Sequence, residues 1–184
     1  MTIDVGTWHQ LAALVPPAVA QEFKDCWEVG EQEAGLGLLV SGILDNDVAI
    51  SETVRAQISV LAETWGEREA LTPRILRCRS DGRSASAVTL VEQDGDLVSG
   101  DTVTAEHDLA GLVLTPWIIC TRCDHVLMRI HAREAWGDLS YLARHYAIKR
   151  PDHAVVAPLF PAGSADKAFD SLLHSCPPDD VADC

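Results

Sequence analysis

The sequence has little positive charge. Its 184 residues include 14 lysines and arginines against 28 aspartates and glutamates, which gives a formal net charge of −14. A surface with this excess repels nucleic acid and anionic lipid and attracts basic proteins. The excess is uneven, since residues 1–71 contain 12 acidic and 3 basic residues whereas residues 72–151 contain 10 of each. We therefore expect a basic partner to bind the N-terminal end. The alternative is that the negative charge only keeps the protein soluble.

The sequence also lacks long apolar runs and a disulfide pattern. It does not begin with a basic segment followed by an apolar one, and no stretch approaches the roughly 20 apolar residues that a membrane helix needs. Of its 6 cysteines only Cys120 and Cys123 are close together, which is not the pattern of a disulfide-rich secreted domain. These absences predict a cytoplasmic protein without a membrane span.

Recognised catalytic and nucleotide-binding motifs are absent. Neither Gly-x-Ser-x-Gly nor His-Glu-x-x-His occurs, and the glycines within residues 35–42 fit neither the dinucleotide-binding pattern nor a phosphate loop. The 7 histidines are scattered singly, and His107, His131 and His145 are the candidates for a site assembled from distant residues. A non-catalytic protein is therefore the main expectation, and an enzyme is the alternative.

Helical periodicity dominates the N-terminal part of the chain. The predicted helices span residues 7–15, 18–28, 31–44 and 51–65. Ser51 is suited to cap the last of these helices, and Gly66 is suited to end it. The three glycines within residues 35–42 each lower helix propensity, so they predict that a neighbouring element packs closely against that helix.

The C-terminal part of the chain changes to short extended runs, and Thr72-Pro73 marks the break. The predicted domains are an acidic helical domain at 1–71, a β-rich domain at 72–175 and a disordered tail at 176–184. Strands are predicted at residues 75–78, 87–92, 97–98, 102–104, 112–120, 126–130 and 153–160, and helices at 134–147 and 166–174. Pro116 indicates an edge strand or a bend. The predicted fold class is α+β, an N-terminal antiparallel helical bundle or hairpin followed by a β-rich segment with one or two helices.

Cys120 and Cys123 are separated by two residues and follow a predicted strand. This spacing allows two thiolates to bind one zinc ion, which requires four ligands. The candidates for the remaining ligands, none at a typical spacing, are His125, His131, His145 and Cys78. A hairpin whose cysteines only flank the turn is the alternative. We therefore expect no cofactor, and a zinc-stabilised structural or regulatory protein is the second interpretation.

The segment Trp27-Glu28-Val29-Gly30-Glu31, followed by Leu36, Leu39 and Leu44 and then by Ile50-Ser51, resembles small bacterial immunity proteins. These proteins protect bacteria from polymorphic or contact-dependent toxins. The resemblance covers roughly residues 20–66. It implies a non-catalytic inhibitor whose acidic helical surface covers a basic toxin, often a nuclease.

Clustered carboxylates on rigid helices favour a basic partner on physical grounds as well, because they accelerate its association. The carboxylates expected to contact this partner belong to Glu28, Glu31, Glu33, Asp45, Asp47 and Glu52. Trp27 is expected in the core or, if it is exposed, as a binding hot spot. Neither nucleic acid nor a membrane is expected as a partner.

Overall fold

The computed structural model describes residues 5–82, 86–91, 96–97, 109, 111–151 and 156–175. It has the predicted α+β class, with helices in the N-terminal part and an antiparallel sheet in the C-terminal part. Two compact units, Met1–Ser86 and Ala87–Cys184, divide the chain, and we call them the helical unit and the sheet unit. The predicted tail at residues 176–184 lies outside the described residues. None of the helices in the described ranges has the length and apolar character that crossing a bilayer requires.

The described part of the helical unit contains five helices, α1 (Val5–Ala12), α2 (Pro17–Val29), α3 (Gln32–Asp45), α4 (Glu52–Thr64) and α5 (Arg68–Arg77). The first four confirm the predicted helices. The Ser51 hydroxyl accepts a hydrogen bond from the Val54 amide at 3.2 Å, as expected of an N-cap. Gly66 follows α4 with a φ of 72°, a backbone conformation that ends a helix and that glycine adopts without strain.

Helix α5 corrects two predictions, the break at Thr72-Pro73 and the strand at residues 75–78. Leu71 and Ile75 lie four residues apart and are both buried, which is helical spacing. The buried guanidinium of Arg55 in α4 donates hydrogen bonds of 2.6 Å and 2.7 Å to two backbone carbonyls at the end of α5. Carbonyls at a helix end lack partners within the helix, so this tertiary contact stabilises α5 despite its internal proline.

An aromatic cluster forms part of the core of the helical unit. The Trp8 ring is fully buried and stacks on Phe23, with 4.0 Å between ring centroids. The rings of Trp27 and Trp65 lie 5.4 Å and 5.8 Å from Trp8 and are both half-buried. The Trp8 indole N–H donates to the Phe23 carbonyl oxygen at 2.7 Å, which satisfies the polar atom of the buried ring. The cluster connects α1 and α2 with the end of α4.

Glycines of α3 lie where another part of the helical unit approaches closely. A Cβ atom at Gly35 would lie 2.7 Å from the Trp8 ring and 2.9 Å from the Cys26 Cβ, and one at Gly42 would lie 2.8 Å from a Val19 methyl group. At Gly37 a Cβ would have nothing within 4 Å. The predicted close packing is therefore confirmed at two of the three glycines and is wrong at Gly37.

The sheet unit contains β1 (Val88–Leu90), β2 (Asp96–Leu97), β3 (Leu112–Cys120), β4 (Val126–Ala132), β5 (His145–Lys149), β6 (Val156–Pro161) and α6 (Ala165–His174). The strands form one antiparallel sheet in the order β1-β3-β4-β5-β6, with β2 also paired to β3. Helix α6 packs on β4, β5 and β6. The predicted strand at residues 102–104 lies outside the described residues.

Strand β3 is internal, so the edge position that Pro116 suggested is wrong. It pairs with β4 on one side and with β1 and β2 on the other. On the second side, β2 pairs with residues 113–114 and β1 with residues 118–120, and Pro116 lies in the gap between them. The register with β4 shifts between Pro116 and Ile118, which confirms the bend. In the described part of the sheet, Pro116 pairs with neither β1 nor β2, so its missing N–H removes no described hydrogen bond on that side.

The helix predicted at residues 134–147 is not present. After Ala132 the chain forms a loop, and strand β5 begins at His145. Gly137 has a φ of 102°, which a helix does not allow. Tyr146 and Ile148 alternate along β5 and are both buried, because the sheet has covered side chains on that face.

Candidate functional site

The six carboxylates predicted as one surface lie in two groups at opposite ends of α3. Glu28, Glu31 and Glu33 surround the junction of α2 and α3 and are exposed. Asp45, Asp47 and Glu52 surround the junction of α3 and α4. The rise of a helix, about 1.5 Å per residue, separates the two groups by roughly 18 Å along α3. The six predicted contact residues therefore form two clusters and not one, because a helix lies between them.

The second group is largely used inside the helical unit. The Asp47 carboxylate accepts from Arg79 Nε at 3.1 Å, and the Asp47 carbonyl accepts from the same guanidinium at 2.7 Å. Glu52 pairs with the buried Arg55 at 3.2 Å. These contacts hold the α3–α4 connection near the end of α5 and neutralise two of its three charges. Only Asp45 of this group is exposed without an ion pair among the described residues.

The first group continues along α2. The exposed side chains of Glu22 and Asp25 precede Glu28 at intervals of three residues, which places them on adjoining parts of one helix surface. We call the five exposed carboxylates of this region, Glu22, Asp25, Glu28, Glu31 and Glu33, the acidic stripe. In the part of the chain that the structure describes, none of them forms an ion pair. Glu22 and Asp25 were not among the predicted contact residues, although their three-residue spacing within a predicted helix could have identified them.

The half-buried thiol of Cys26 lies close enough to the acidic stripe to respond to its charge. Burial raises the pKa of this thiol, and the carboxylates of Glu31, Asp25 and Glu22 raise it further. Negative charges stabilise the neutral thiol over the thiolate, which is the physical cause of the second effect. Three members of the stripe therefore act together on one atom, as expected of a concentrated negative field.

The stripe rests on a rigid base. Phe23, on the inner side of α2, is fully buried and belongs to the aromatic cluster. Trp27 is half-buried and contacts two other tryptophan rings, so it supports the stripe from the rim of the core. Val29 is 69% exposed between Glu28 and Gly30 and adds an apolar contact within the acidic surface. The arrangement offers fixed negative charge around one exposed aliphatic side chain.

The Cys120 and Cys123 pair lies at the turn between β3 and β4. The Cys120 amide donates to the His125 carbonyl at 2.9 Å, and the Asp124 amide donates to the Cys120 carbonyl at 3.0 Å. Neither cysteine forms a disulfide bond. Within the described residues, no group of three or more histidine, cysteine, aspartate or glutamate side chains is arranged to hold a metal ion. The described geometry is that of a hairpin whose cysteines flank the turn, and it gives the zinc interpretation no support.

The candidate catalytic histidines do not meet. His145 pairs with Ile130 in the sheet, so His131, the next residue along β4, points to the opposite face. The His131 ring is fully buried, and its Nδ1 lies 2.8 Å from the Ser140 carbonyl oxygen. His107 lies outside the described residues. His131 therefore has a structural contact, and the two described histidines cannot share one site.

A buried cation in the sheet was not anticipated from the sequence. The Arg129 guanidinium lies over the Trp117 ring, 4.0 Å from its centroid, and Arg129 is only 2% exposed. Tyr146 of β5, which pairs with Arg129 of β4, is also buried. Arg129 lies between Met128 and Ile130 on β4, an alternation that predicts an outward-facing arginine, so no local pattern indicated its burial.

No family model, curated protein or solved structure matches this chain.

Proposed function

We propose that the protein is a non-catalytic binding protein of the immunity type, which neutralises a basic toxin by docking it on the acidic stripe. The observation that supports this proposal is the set of five exposed carboxylates on α2 and the start of α3. Among the described residues none of them is used in an ion pair. Their charges are therefore available to a partner, unlike those of Asp47 and Glu52.

A nuclease toxin is a suitable partner because it must expose lysines and arginines to bind nucleic acid phosphates. Carboxylates on a rigid helix surface attract such a protein before contact and raise its association rate, from about 10⁵–10⁶ M⁻¹s⁻¹ for neutral pairs towards 10⁸ M⁻¹s⁻¹ or more. Val29, exposed within the stripe, supplies an apolar contact that excludes water once the complex has formed. The carboxylates of the stripe would raise the association rate, and the apolar contact around Val29 would slow dissociation of the complex.

The decisive experiment takes as its ligand a basic toxin module encoded beside the gene for this chain. The test variant is Glu22→Lys/Glu28→Lys. The matched control is Asp45→Lys/Glu69→Lys, which changes the net charge by the same amount in the same unit, at exposed positions outside the stripe. We expect the test variant to lower the association rate by about tenfold or more and to abolish protection of growth, and the control to retain both.

Salt provides a second measurement on the same samples. The wild-type association rate should fall steeply as ionic strength rises, whereas that of the test variant should change little. Equal association rates for the wild type and the test variant would refute docking on the stripe. The absence of any basic toxin module among the neighbouring genes would remove the immunity interpretation itself.

A further inference from the structure

The loop between β4 and β5, residues 133–144, presents an apolar surface to solvent. Trp136 is 73% exposed, Leu142 is 56% exposed and Tyr141 is 48% exposed. These are three of the six large apolar side chains that are exposed in the described ranges, and they lie within seven residues. Tryptophan and tyrosine are the residues most enriched at the energetic centres of protein interfaces. Three large exposed apolar side chains in one short loop therefore identify it as a candidate interaction site.

Hydrogen bonds hold this loop in one shape. The Glu134 amide donates to the Asp138 carbonyl at 2.8 Å across the turn that carries Trp136. At the base of the loop, the Ser140 amide donates to the Ala132 carbonyl at 2.8 Å, and the Ser140 hydroxyl accepts from the Ala132 amide at 3.1 Å. The buried His131 ring contacts the Ser140 carbonyl from below. The apolar side chains therefore extend from an ordered backbone, which reduces the entropy lost on binding.

An exposed arginine belongs to the same turn as Trp136. Arg133 donates from one terminal nitrogen to the Gly137 carbonyl at 2.8 Å, which fixes its head group next to Trp136 along the chain. Among the described residues Arg133 forms no ion pair, although the exposed carboxylate of Asp138 is in the same loop. The remaining N–H groups of Arg133 have the fork geometry that binds a carboxylate. The surface therefore combines an apolar anchor with an anion-binding head group on a chain whose net charge is −14.

We propose that this loop docks a segment of another protein, which packs an apolar side chain on Trp136 and places a carboxylate on Arg133. The three apolar side chains offer roughly 300–400 Å², given about 150–250 Å² for a whole aromatic side chain. A stable dimer buries about 800 Å² on each partner, more than these three side chains offer, so a second copy is a poor occupant. A short segment with one apolar side chain and one carboxylate fits both the area and the exposed guanidinium of Arg133. This site is independent of the acidic stripe.

The experiment selects peptides from a phage-displayed library of random dodecapeptides on the full-length protein and measures their affinities as synthetic peptides. We expect selected peptides to combine an aromatic or aliphatic residue with a neighbouring aspartate or glutamate. Their affinity should fall about tenfold or more in Trp136→Ala and should fall in Arg133→Gln only for peptides that contain the acidic residue. Leu76→Ala removes an exposed leucine, 47% accessible, from the helical unit and should leave binding unchanged.

Trp136 is mostly exposed, so thermal melting should show Trp136→Ala to be as stable as the wild type. Peptides that bind Trp136→Ala as tightly as the wild type, or a consensus that is basic, would overturn the proposal. So would a dimer in sedimentation equilibrium that Trp136→Ala dissociates, or co-sedimentation with phosphatidylcholine vesicles that the same change abolishes. The stripe variant Glu22→Lys/Glu28→Lys must bind the peptides normally, so the two proposals can fail separately.

Discussion

Replacing Gly35 by alanine tests the packing that supports the acidic stripe. The new methyl group would lie 2.7 Å from the Trp8 ring and 2.9 Å from the Cys26 Cβ. Neither neighbour can move easily, because the Trp8 ring is fully buried, stacked on Phe23 and fixed by its hydrogen bond to the Phe23 carbonyl. The substitution must therefore separate α3 from α2 and from the aromatic cluster.

The magnitude follows from two opposing effects. Overpacking of a rigid core costs about 1–3 kcal/mol, and a site bounded by a fixed indole belongs near the upper end of that range. Alanine gains about 1 kcal/mol over glycine in helix propensity. We expect Gly35→Ala to lower the free energy of unfolding by about 2 kcal/mol. Gly37→Ala, two residues along the same helix with nothing within 4 Å of its Cβ, should raise it by up to about 1 kcal/mol.

The assay is thermal and urea unfolding followed by far-ultraviolet circular dichroism, which reports chiefly on the helical unit. A difference of about 3 kcal/mol between the two variants corresponds to about 6–12 °C in Tm for a chain of this size. The two variants have the same composition, so effects of alanine on the unfolded chain largely cancel. If Gly35→Ala were as stable as Gly37→Ala, the close approach of Trp8 to α3 would be refuted.

Two further predictions concern the helical unit. Arg55→Met should lower the free energy of unfolding by about 3 kcal/mol, measured by urea denaturation, because it removes two buried hydrogen bonds from a charged donor to the end of α5. The Ile75 carbonyl keeps its bond from the Cys78 amide, whereas the Cys78 carbonyl loses the Arg55 donor; equal stability would contradict this. Cys26 should react slowly with iodoacetamide at neutral pH, because its raised pKa limits the thiolate, and Glu31→Gln should accelerate the reaction. Each tenfold gain in thiolate should raise the rate only about threefold, since nucleophilicity falls with pKa. The rate is measured by mass spectrometry of the Cys26 peptide, and a slower Glu31→Gln variant would exclude a carboxylate effect.

The elements that the sequence predicted correctly are those whose determinants are local. Helices α1–α4 have apolar residues at helical spacing, and α4 also has a serine cap and a terminating glycine. Strands β3 and β4 are mostly apolar and flank a short turn. In these segments, propensity, periodicity and capping residues all favour the same structure, so nearby residues are sufficient to predict it.

The elements that were missed depend on distant contacts. Helix α5 contains a proline and ends on the guanidinium of Arg55, a residue 20 positions before Ile75. The segment at residues 134–147 has apolar residues compatible with either period, and the sheet selects the extended one by pairing β5 with β4 and β6. Because neither hydrogen bonding across the sheet nor capping from another helix has a local signature, a single sequence could not have decided these cases.

Which carboxylates form ion pairs also depends on distant contacts, so it could not be predicted from the sequence alone. Counting acidic residues by segment treated Asp47 and Glu28 alike, yet Asp47 is paired with Arg79, which lies 32 residues further along the chain. Folding places Arg79 beside Asp47 and Arg55 beside Glu52, and among the described residues it leaves the carboxylates of the first group without an ion pair. The carboxylates at the α2–α3 junction therefore produce the negative field, because ion pairs within the described residues neutralise Asp47 and Glu52 but not these side chains. A partner that reads charge should distinguish the two ends of α3, although their sequences are equally acidic.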